Sequence, residues 1–291
     1  MDIRIIEWFK GLFSARSSFR VLRAGCTDNP LPCGRLVKNR FGKFIYIYRP
    51  IRINTNGKSI YDLVRLTPET VSLLTTCKKF ENLHVKNILF LDIETTSLQA
   101  TPEDNCVLVG LAFYRGGMFH LEQFFLTDVK YEKAMLHATL KRFKRFSYIS
   151  GYNVKPFDVN YLKKLCEWHR LGFNFDTIDY LDMYVSARRF FKDRTPNCRL
   201  KTVTEWVFNE YRNDIPSYKI PEYWKNFITT KDHKYALKII EHNRFDLVYI
   251  IRLFLWFFCQ LREPYGYYFE DVEDQYAVLR LLNKYGKQKS L

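Results

Sequence analysis

Hydrophobic positions follow two different patterns along this chain, and the pattern changes near residue 85. In the N-terminal part, Phe44–Tyr48 alternates aromatic residues with isoleucine. A period of two predicts a β-strand with one buried face. Asn56-Gly57 is a tight-turn signal. We therefore predict strand structure within residues 1–84, which we treat as a region separate from the domain that follows.

From Val85 onward the pattern indicates an α/β domain. Apolar and alternating runs predict three successive strands at Ile88–Glu94, Cys106–Tyr114 and Met118–Leu126. The last two strands are joined by Arg115-Gly116-Gly117, which is typical of a hairpin connection. The first three elements of the domain are therefore expected to be neighbouring strands of one sheet.

Helical and strand patterns alternate through the rest of the chain. They predict, in order, a helix at about Tyr131–Phe146, a strand at Tyr148–Tyr152, a helix at about Phe157–His169, a strand at Phe175–Leu181, and helices at Asp182–Phe191 and Leu200–Tyr211. The prolines of Asn213–Tyr223 predict a loop, and a last helix is expected over about His233–Leu261. The sequence thus predicts a mixed five-stranded sheet flanked by helices over residues 85–265, and a C-terminal helix and tail over residues 266–291.

The net charge of +15 is concentrated in the N-terminal region. Residues 1–80 hold 15 Lys and Arg against 5 Asp and Glu, and the remaining residues hold 31 against 26. A basic region attracts polyanions, which favours nucleic acid as a partner. Basic residues interleaved with aromatic ones could hold a phosphate backbone and stack bases. An ordinary strand pair with solvated charges has the same pattern, so both interpretations stay open.

Several classes of protein are disfavoured by composition. A hydrophobic content of 47% excludes a disordered chain. None of the seven cysteines forms a C-x₂-C pair, so we expect neither a disulfide framework nor a zinc site, and we expect a reducing, cytoplasmic location. The N-terminus lacks the pattern of a signal peptide. The apolar run Val248–Leu261 contains Arg252 and is too short to cross a membrane, so we predict a buried helix there and no membrane span.

Acidic residues at the ends of predicted buried elements are the candidates for chemistry. Asp92 and Glu94 are two apart on a strand, so both side chains face the same side of the sheet. Asp158 lies where a strand ends and a helix begins. Asp246 lies on the last helix, with His242 four residues earlier on the same helix face. Buried acids that converge need a cation, and Mg²⁺ prefers carboxylate oxygens.

Three segments resemble, in the same order, the exonuclease motifs of the DEDD superfamily of 3′→5′ exonucleases. They are Phe90–Leu98, Gly151–Asp158 and Glu241–Asp246. Within that superfamily the YprB-like, RNase H-like family is the most similar, over roughly residues 85–260, and Arg212–Tyr223 resembles that family's linker. The predicted order of three strands followed by helix–strand–helix–strand is that of an RNase H-like α/β domain.

The resemblance implies a nuclease that uses two divalent ions, Mg²⁺ or Mn²⁺, to neutralise the phosphate and activate a water molecule. The implied catalytic residues are Asp92, Glu94, Asp158, His242 and Asp246. The four acids among them are the implied metal ligands, with Asp92 shared between the ions and His242 as general base. The implied substrate-binding residues lie beside the motifs and are Thr95, Thr96, Leu98, Asn153 and Lys155.

Two positions depart from the family pattern. The family usually has glycine where this chain has Ser97, which affects the loop expected beneath the terminal nucleotide. Histidine-type DEDD enzymes usually place the histidine five residues before the last aspartate, whereas His242 precedes Asp246 by four, the spacing of the tyrosine-type branch. His242 could therefore orient the attacking water rather than remove its proton.

Three other functions are compatible with the sequence. An endonuclease of the same fold differs only in whether loops close the site around a strand end. A non-catalytic nucleic-acid-binding module has no use for four acids beside a phosphate, which disfavours it. A proofreading subunit would need a polymerase on a partner chain. The choice between DNA and RNA depends on contacts to the 2′-hydroxyl, and neither it nor the oligomeric state follows from the sequence.

Overall fold

The computed structural model describes residues 34–51, 60, 64, 66–78, 83–260 and 272–285. Its strands are β1 (Arg35–Asn39), β2 (Gly42–Ile51), β3 (Ile88–Thr95), β4 (Cys106–Arg115), β5 (Met118–Phe125), β6 (Tyr148–Gly151) and β7 (Asp179–Asp182). Its α-helices are α1 (Pro68–Leu74), α2 (Glu132–Phe143), α3 (Asn160–Trp168), α4 (Met183–Phe191), α5 (Leu200–Phe208), α6 (Ile220–Thr230), α7 (His233–Gln260) and α8 (Val272–Tyr285). The predicted turn at Asn56-Gly57 lies outside the described residues.

The strands form one mixed sheet in the order β1-β2-β5-β4-β3-β6-β7. Neighbours from β1 to β3 are antiparallel, whereas β6 and β7 continue the sheet in parallel. The predicted α/β class with a mixed sheet is therefore confirmed. Because β3 lies between β4 and β6, its carboxyl end has a neighbouring strand on each side.

The five strands predicted within residues 85–265 are all present, as β3 to β7, and the sheet has seven strands because two more come from the basic N-terminal region. β2 pairs with β5 along most of its length. The alternation that predicted a strand buries Phe44, Ile45 and Ile47 against the rest of the sheet. A strand with apolar side chains on both faces gains more free energy in the interior of a sheet than alone, which explains why the pair joins the larger sheet. The division of the chain at residue 85 stays a prediction.

The hairpin between β4 and β5 is the one the sequence predicts. Gly116 and Gly117 form a two-residue turn with φ of 58° and 80°. Positive φ at both central positions is the type I′ geometry that matches the twist of antiparallel strands. The hairpin fixes the register of β4 against β5, and through β4 the register of β3.

Helices cover both faces of the sheet. Buried residues of α2 and α3 pack with Leu89 and Leu91 of β3. Buried residues of α4, α8 and the apolar half of α7 pack with Ile88 and Phe90, and Phe90 contacts Phe254 with ring centroids 5.2 Å apart. The predicted buried helix at Val248–Leu261 is part of α7 as far as Gln260, its side chains up to Phe258 lie mostly in a core between helices and sheet, and Leu261 lies outside the described residues. In the part of the chain with described positions, the helices are too short or too polar to cross a membrane.

Two predicted boundaries are corrected. Asn213–Tyr223 was expected to be a loop, yet α6 begins at Ile220 with Pro221 in its first turn. Proline is favoured at that position, because the first amide of a helix has no intrahelical partner. The strand expected at Phe175–Leu181 begins only at Asp179, since Phe175–Thr177 forms a 3₁₀ turn.

Candidate active site

Asp92 and Glu94 lie at the carboxyl end of β3, on the face that α7 covers. Glu94 is only 6% exposed. Its Oε1 atom is buried and has no hydrogen-bond partner among the described residues. A buried carboxylate oxygen without a partner costs free energy, so a cation bound to this atom would be stabilising.

Asp92 is held by a chain of buried amides. Asn243 Nδ2 donates to Asp92 Oδ2 at 2.7 Å and to the Asp92 carbonyl at 3.1 Å. Asn243 Oδ1 accepts from Gln123 Nε2 at 2.9 Å, and Gln123 Nε2 also donates to the Ile240 carbonyl at 2.8 Å. Gly110 faces this group, and a Cβ atom there would lie 2.1 Å from Asn243 Oδ1. The amide chain therefore fixes Asp92 against α7.

Asp158 reaches the same sheet edge from β6. The chain leaves β6, passes Asn153 with a left-handed φ of 59°, and enters a π-helical turn over Lys155–Val159. This turn brings Asp158 Oδ1 to the Ile93 amide, from which it accepts a hydrogen bond of 3.0 Å. Asp158 is thereby fixed beside the strand segment between Asp92 and Glu94.

His242 and Asp246 project from one face of α7 toward Glu94. Ligand atoms of Glu94, His242 and Asp246 all lie within 4.8 Å of one another. His242 Nε2 is 3.4 Å from Asp246 Oδ2 and 3.1 Å from Ser217 Oγ. The i,i+4 spacing seen in the sequence thus places both side chains at one point.

Burial and mutual repulsion raise the pKa of the acids. Burial, followed by the charges of Asp246, Glu94 and Asp158, raises the pKa of Asp92 well above its usual range. Burial raises the pKa of Glu94 to about 8, although His242 and Arg212 oppose the effect. Burial also raises the pKa of Asp158 against the hydrogen bond from Ile93. These neighbouring acids therefore bind protons more tightly than isolated carboxyl groups do, and a divalent cation would displace those protons.

The charge of His242 follows from its acidic neighbours. Burial acts to lower the pKa of the imidazole, but the hydrogen bond to Asp214 and the charges of Glu94 and Asp246 raise it to about 9. Two of these three groups are candidate metal ligands. Cations bound beside Glu94 and Asp246 would therefore bring the pKa of His242 back toward neutrality.

Arg212 and Asp214 belong to the site although sequence reasoning did not select them. Arg212 Nε and Nη2 donate to Asp214 at 3.1 and 2.5 Å, and Arg212 Nη1 donates to Asp246 Oδ1. Asp214 Oδ2 lies 2.6 Å from His242 Nδ1. The imidazole and the guanidinium hold the pKa of Asp214 below its usual range despite its burial. The available signal was the Arg-x-Asp sequence in the linker that resembles the family.

Asp182 is a further buried acid that is not among the candidate residues taken from the sequence. It ends β7 and caps α4, accepting from the Tyr184 amide at 3.0 Å. The same oxygen accepts from the Asn153 amide at 2.8 Å. Asp182 thus holds the loop that leads to Asp158. Its position between a strand and a helix is a helix-start signal that could have identified this role.

The predicted substrate-binding residues lie around the edge of this cluster. Thr95 and Thr96 brace the loop after β3, because Thr95 Oγ1 donates to the Ser97 carbonyl at 2.6 Å and the Asn105 amide donates to Thr96 Oγ1 at 2.8 Å. Leu98 is 85% exposed at the tip of that loop. Lys155 places its ammonium 5.4 Å from the ring centre of Tyr180. Contact of these residues, or of Asn153, with a substrate stays a prediction.

The donor set fits a hard divalent cation. Four carboxylates converge, the unpartnered Glu94 Oε1 lies among them, and carboxylate oxygens are the usual ligands of Mg²⁺ and Mn²⁺. Asp92, Glu94, Asp158 and Asp246 are the residues that could hold such ions. His242 offers one nitrogen to the same space.

Known proteins are similar to this chain over the region that carries the candidate site. A family model of the RNase H superfamily matches residues 89–258, more than half of the chain. The chain is 25% identical over 171 residues to the uncharacterized protein YprB of Bacillus subtilis (strain 168), and the match covers 58% of this chain and 41% of that protein. The fold is also similar to a family B DNA polymerase from the hyperthermophilic archaeon Pyrobaculum calidifontis, with a TM-score of 0.44 and 20% identity over 66% of this chain and 27% of that one. The match to the superfamily spans the strands and helices that carry every candidate acid, and the chain belongs to the RNase H superfamily.

Proposed function

We propose that the protein is a metal-dependent 3′→5′ exonuclease that hydrolyses phosphodiester bonds at the ends of single-stranded nucleic acid. Membership of the RNase H superfamily supports a nuclease that uses divalent ions. The observation that carries the proposal is the meeting of Glu94, His242 and Asp246 within 4.8 Å, beside Asp92 and Asp158. The direction of digestion follows the resemblance of the three motifs to DEDD exonucleases.

The four acids are proposed to hold two Mg²⁺ or Mn²⁺ ions. Bound there, the ions would supply neutralisation of the phosphate, activation of water and stabilisation of the leaving oxygen. Asn243 keeps Asp92 in place, and the Ile93 amide keeps Asp158 in place. Ligands that are already fixed lose little entropy when a cation binds, so the site is prepared before the substrate arrives.

His242 is proposed as the general base. Its Nδ1 atom is directed to Asp214, which leaves Nε2 facing Asp246 and Ser217. Nε2 would take the proton from the attacking water. Because Glu94 and Asp246 raise the pKa of His242, neutralisation of these carboxylates would release the imidazole for this role.

A basic surface lies at the same edge of the sheet as the candidate site. Glu94, Leu108, Phe125 and Ile45 are paired in one row across β3, β4, β5 and β2. Three strand spacings put Ile45 about 14 Å from Glu94. Beyond Ile45, toward the edge, Lys43 lines a cavity of about 340 Å³ together with Lys130, Lys231 and Asp128. Asp128 is paired with Lys130 at 2.9 Å, so the three lysines leave the cavity with a positive balance. We propose that this surface holds the phosphate backbone of the strand whose end occupies the site.

Linear nucleic-acid strands with a free 3′ end and circular strands without one test the proposal. Labelled DNA and RNA strands are incubated with Mg²⁺, either with a free 3′ end or joined into a circle. The proposal predicts stepwise shortening of the free strand and no cutting of the circle. Internal cuts in the circle would show an endonuclease. Binding without cleavage of any strand in Mg²⁺ or Mn²⁺ would show a binding module and contradict catalysis.

A further inference from the structure

We infer that Asp214, held by Arg212, is a positioning residue that orients the His242 imidazole for proton transfer at Nε2. The inference rests on the proposed nuclease function and adds residues from the linker before α6 to the site. Asp214 matches none of the three motif segments and is not adjacent to any of them in sequence. The contacts of its two carboxylate oxygens carry the argument.

The carboxylate of Asp214 is fully engaged by cationic partners. Oδ1 accepts from Arg212 Nε at 3.1 Å, and Oδ2 accepts from Arg212 Nη2 at 2.5 Å. Oδ2 also lies 2.6 Å from His242 Nδ1. A two-point pair between a guanidinium and a carboxylate fixes the plane of both groups. With both oxygens occupied, Asp214 is placed to direct the histidine rather than to bind an ion.

Arg212 is itself fixed from several sides. Nη1 donates to Asp246 Oδ1, so the guanidinium joins Asp214 to the acid that follows His242 by one helical turn. Its central carbon lies 5.8 Å from the ring centre of Phe245 and 5.4 Å from that of Tyr249. The guanidinium is therefore packed on α7 and cannot rotate without breaking these interactions. The two hydrogen bonds from Arg212 therefore also fix the carboxylate of Asp214.

The orientation of His242 follows from this clamp. A carboxylate beside Nδ1 favours the tautomer with the proton on Nδ1, which leaves the Nε2 lone pair free. Nε2 is the atom that faces Asp246 at 3.4 Å. On α7 alone the imidazole could adopt several rotamers. The linker thus supplies the constraint that selects one of them.

A purely structural role is the competing interpretation, since Asp214 also anchors the linker to α7. Glu210 provides a matched control. It accepts from Arg252 of α7 at 2.6 and 2.9 Å and from Tyr249 at 3.0 Å, in the same connection between α5 and α6. Glu210→Gln removes one negative charge from a comparable pair between this connection and α7 without touching His242. Asp214→Asn removes the charge that orients the histidine.

Single-turnover cleavage in saturating Mg²⁺ separates the two roles. We expect Asp214→Asn to lower the rate about 10- to 100-fold, as removal of the partner of a functional histidine does, with strand affinity unchanged. Glu210→Gln should leave the rate within a factor of about two. In a His242→Ala background, Asp214→Asn should cause no further decrease, because its effect passes through the imidazole. An equal decrease with and without His242 would overturn the inference, as would a wild-type rate.

A spectroscopic measurement keeps the inference separate from the proposed function. ¹⁵N spectra of the histidine ring report which nitrogen carries the proton. We expect the Nδ1-protonated form of His242 in the wild type with Mg²⁺ and a weaker preference for that form in Asp214→Asn. If the wild type does not cleave any strand, the proposed function fails, and these spectra still decide whether Asp214 orients His242. Unchanged spectra would overturn the positioning role.

Discussion

Gly110 shows how a residue without a side chain contributes to the candidate site. It lies in the middle of β4, opposite Asp92 in the register of the sheet. Glycine within a strand often marks the close approach of another group. Here the group is Asn243, whose amide holds Asp92. The missing Cβ therefore gives α7 access to the acid at the centre of the site.

Replacement of Gly110 tests this contact. Gly110→Ala would push Asn243 away from Asp92, since the new Cβ would lie 2.1 Å from Asn243 Oδ1. We expect a decrease of about 1–3 kcal/mol in the free energy of unfolding, typical of overpacking, and a large decrease in cleavage. Gly172→Ala is the matched control, because, apart from its two chain neighbours, no described residue has an atom within 4 Å of the added Cβ. Denaturant unfolding of both variants is the measurement, and equal stabilities would contradict the account.

The buried carboxylate of Glu94 predicts how stability depends on pH. Its pKa rises from 4.5 to about 8 on folding, so the folded chain binds more protons than the unfolded chain between these values. The free energy of unfolding of the metal-free protein should therefore fall as pH rises from about 5 to 8. The raised pKa of His242, at about 9, acts in the same direction above pH 6.5. Mg²⁺ should stabilise the protein more at about pH 8 than at about pH 5, because protons no longer compete.

Thermal unfolding with EDTA or Mg²⁺ across this pH range measures the effect. Glu94→Gln should flatten the pH dependence and reduce the stabilisation by Mg²⁺. If the stability of Glu94→Gln depends on pH as steeply as that of the wild type, Glu94 is ionised in the metal-free protein.

At the scale of single residues, sequence spacing predicts which face of a helix or strand a side chain occupies, but not which residues of other elements it contacts. The i,i+2 spacing of Asp92 and Glu94 and the i,i+4 spacing of His242 and Asp246 were sufficient to orient these side chains within their own elements. Arg212 and Asp214 could not be assigned in this way, because their contacts join a linker to a distant helix turn. Such pairings depend on how elements pack, which local periodicity does not contain.

At the scale of elements, the connection after β6 positions Asp158. The left-handed Asn153 and the π-helical turn at Lys155–Val159 replace the regular helix start that the sequence predicts. Asp182, at the end of the neighbouring strand β7, accepts from the Asn153 amide. The strand pair β6–β7 therefore carries both the acid and the residue that holds its loop.

Removal of the Asp182 side chain should disturb this connection. Asp182→Ala leaves the Asn153 and Tyr184 amides without their acceptor, so we expect a decrease of about 1–3 kcal/mol in stability together with weaker metal binding. Asp128→Ala removes an exposed cap whose oxygen accepts from the Lys130 amide at 3.2 Å and serves as the control. Calorimetric titration with Mn²⁺ compares the variants. Wild-type affinity in Asp182→Ala would separate the loop from the metal site.

The sequence predicted helices correctly where the apolar helical pattern was long, and it missed a helix start where proline was taken as a sign of a loop. α7 was predicted over nearly its full length, because a long apolar helix has an unambiguous period. The start of α6 was missed, since Pro221 ends most helical patterns but is favoured in a first turn. A proline therefore has to be interpreted by its position, because it is unfavourable inside a helix and favourable in the first turn.

At the scale of the whole molecule, the seven-stranded sheet joins the basic N-terminal strands to the candidate site. Pairing of β2 with β5 puts Lys43 at the same edge as Glu94. Composition predicted a basic region but not its placement, because strand order is a long-range property. The topology therefore brings Lys43, a residue of the basic region, to the edge of the sheet that carries the candidate site.

Charge removal at the two edges of the sheet tests this surface. Replacement of Lys43, Lys130 and Lys231 by glutamine should weaken strand binding and reduce the salt dependence of affinity by about 0.7 in log–log slope for each phosphate that the variant no longer neutralises. Lys86, Lys141 and Lys144 lie toward the opposite edge, so their replacement removes the same charge as a control. Fluorescence anisotropy at several salt concentrations measures both variants. Equal weakening by the two sets would indicate only a general effect of net charge.

The acids of β3 and α7 are central to this account, because together they are proposed to form a metal-dependent nuclease site. The most direct measurement compares wild type and Asp92→Ala on a 5′-labelled single strand, in Mg²⁺ and in EDTA, with exposed Asp193→Ala as the control. The account predicts shortening from the 3′ end by wild type and Asp193→Ala in Mg²⁺ alone, and none by Asp92→Ala. Cleavage by Asp92→Ala at the wild-type rate, or cleavage undiminished by EDTA, would contradict it.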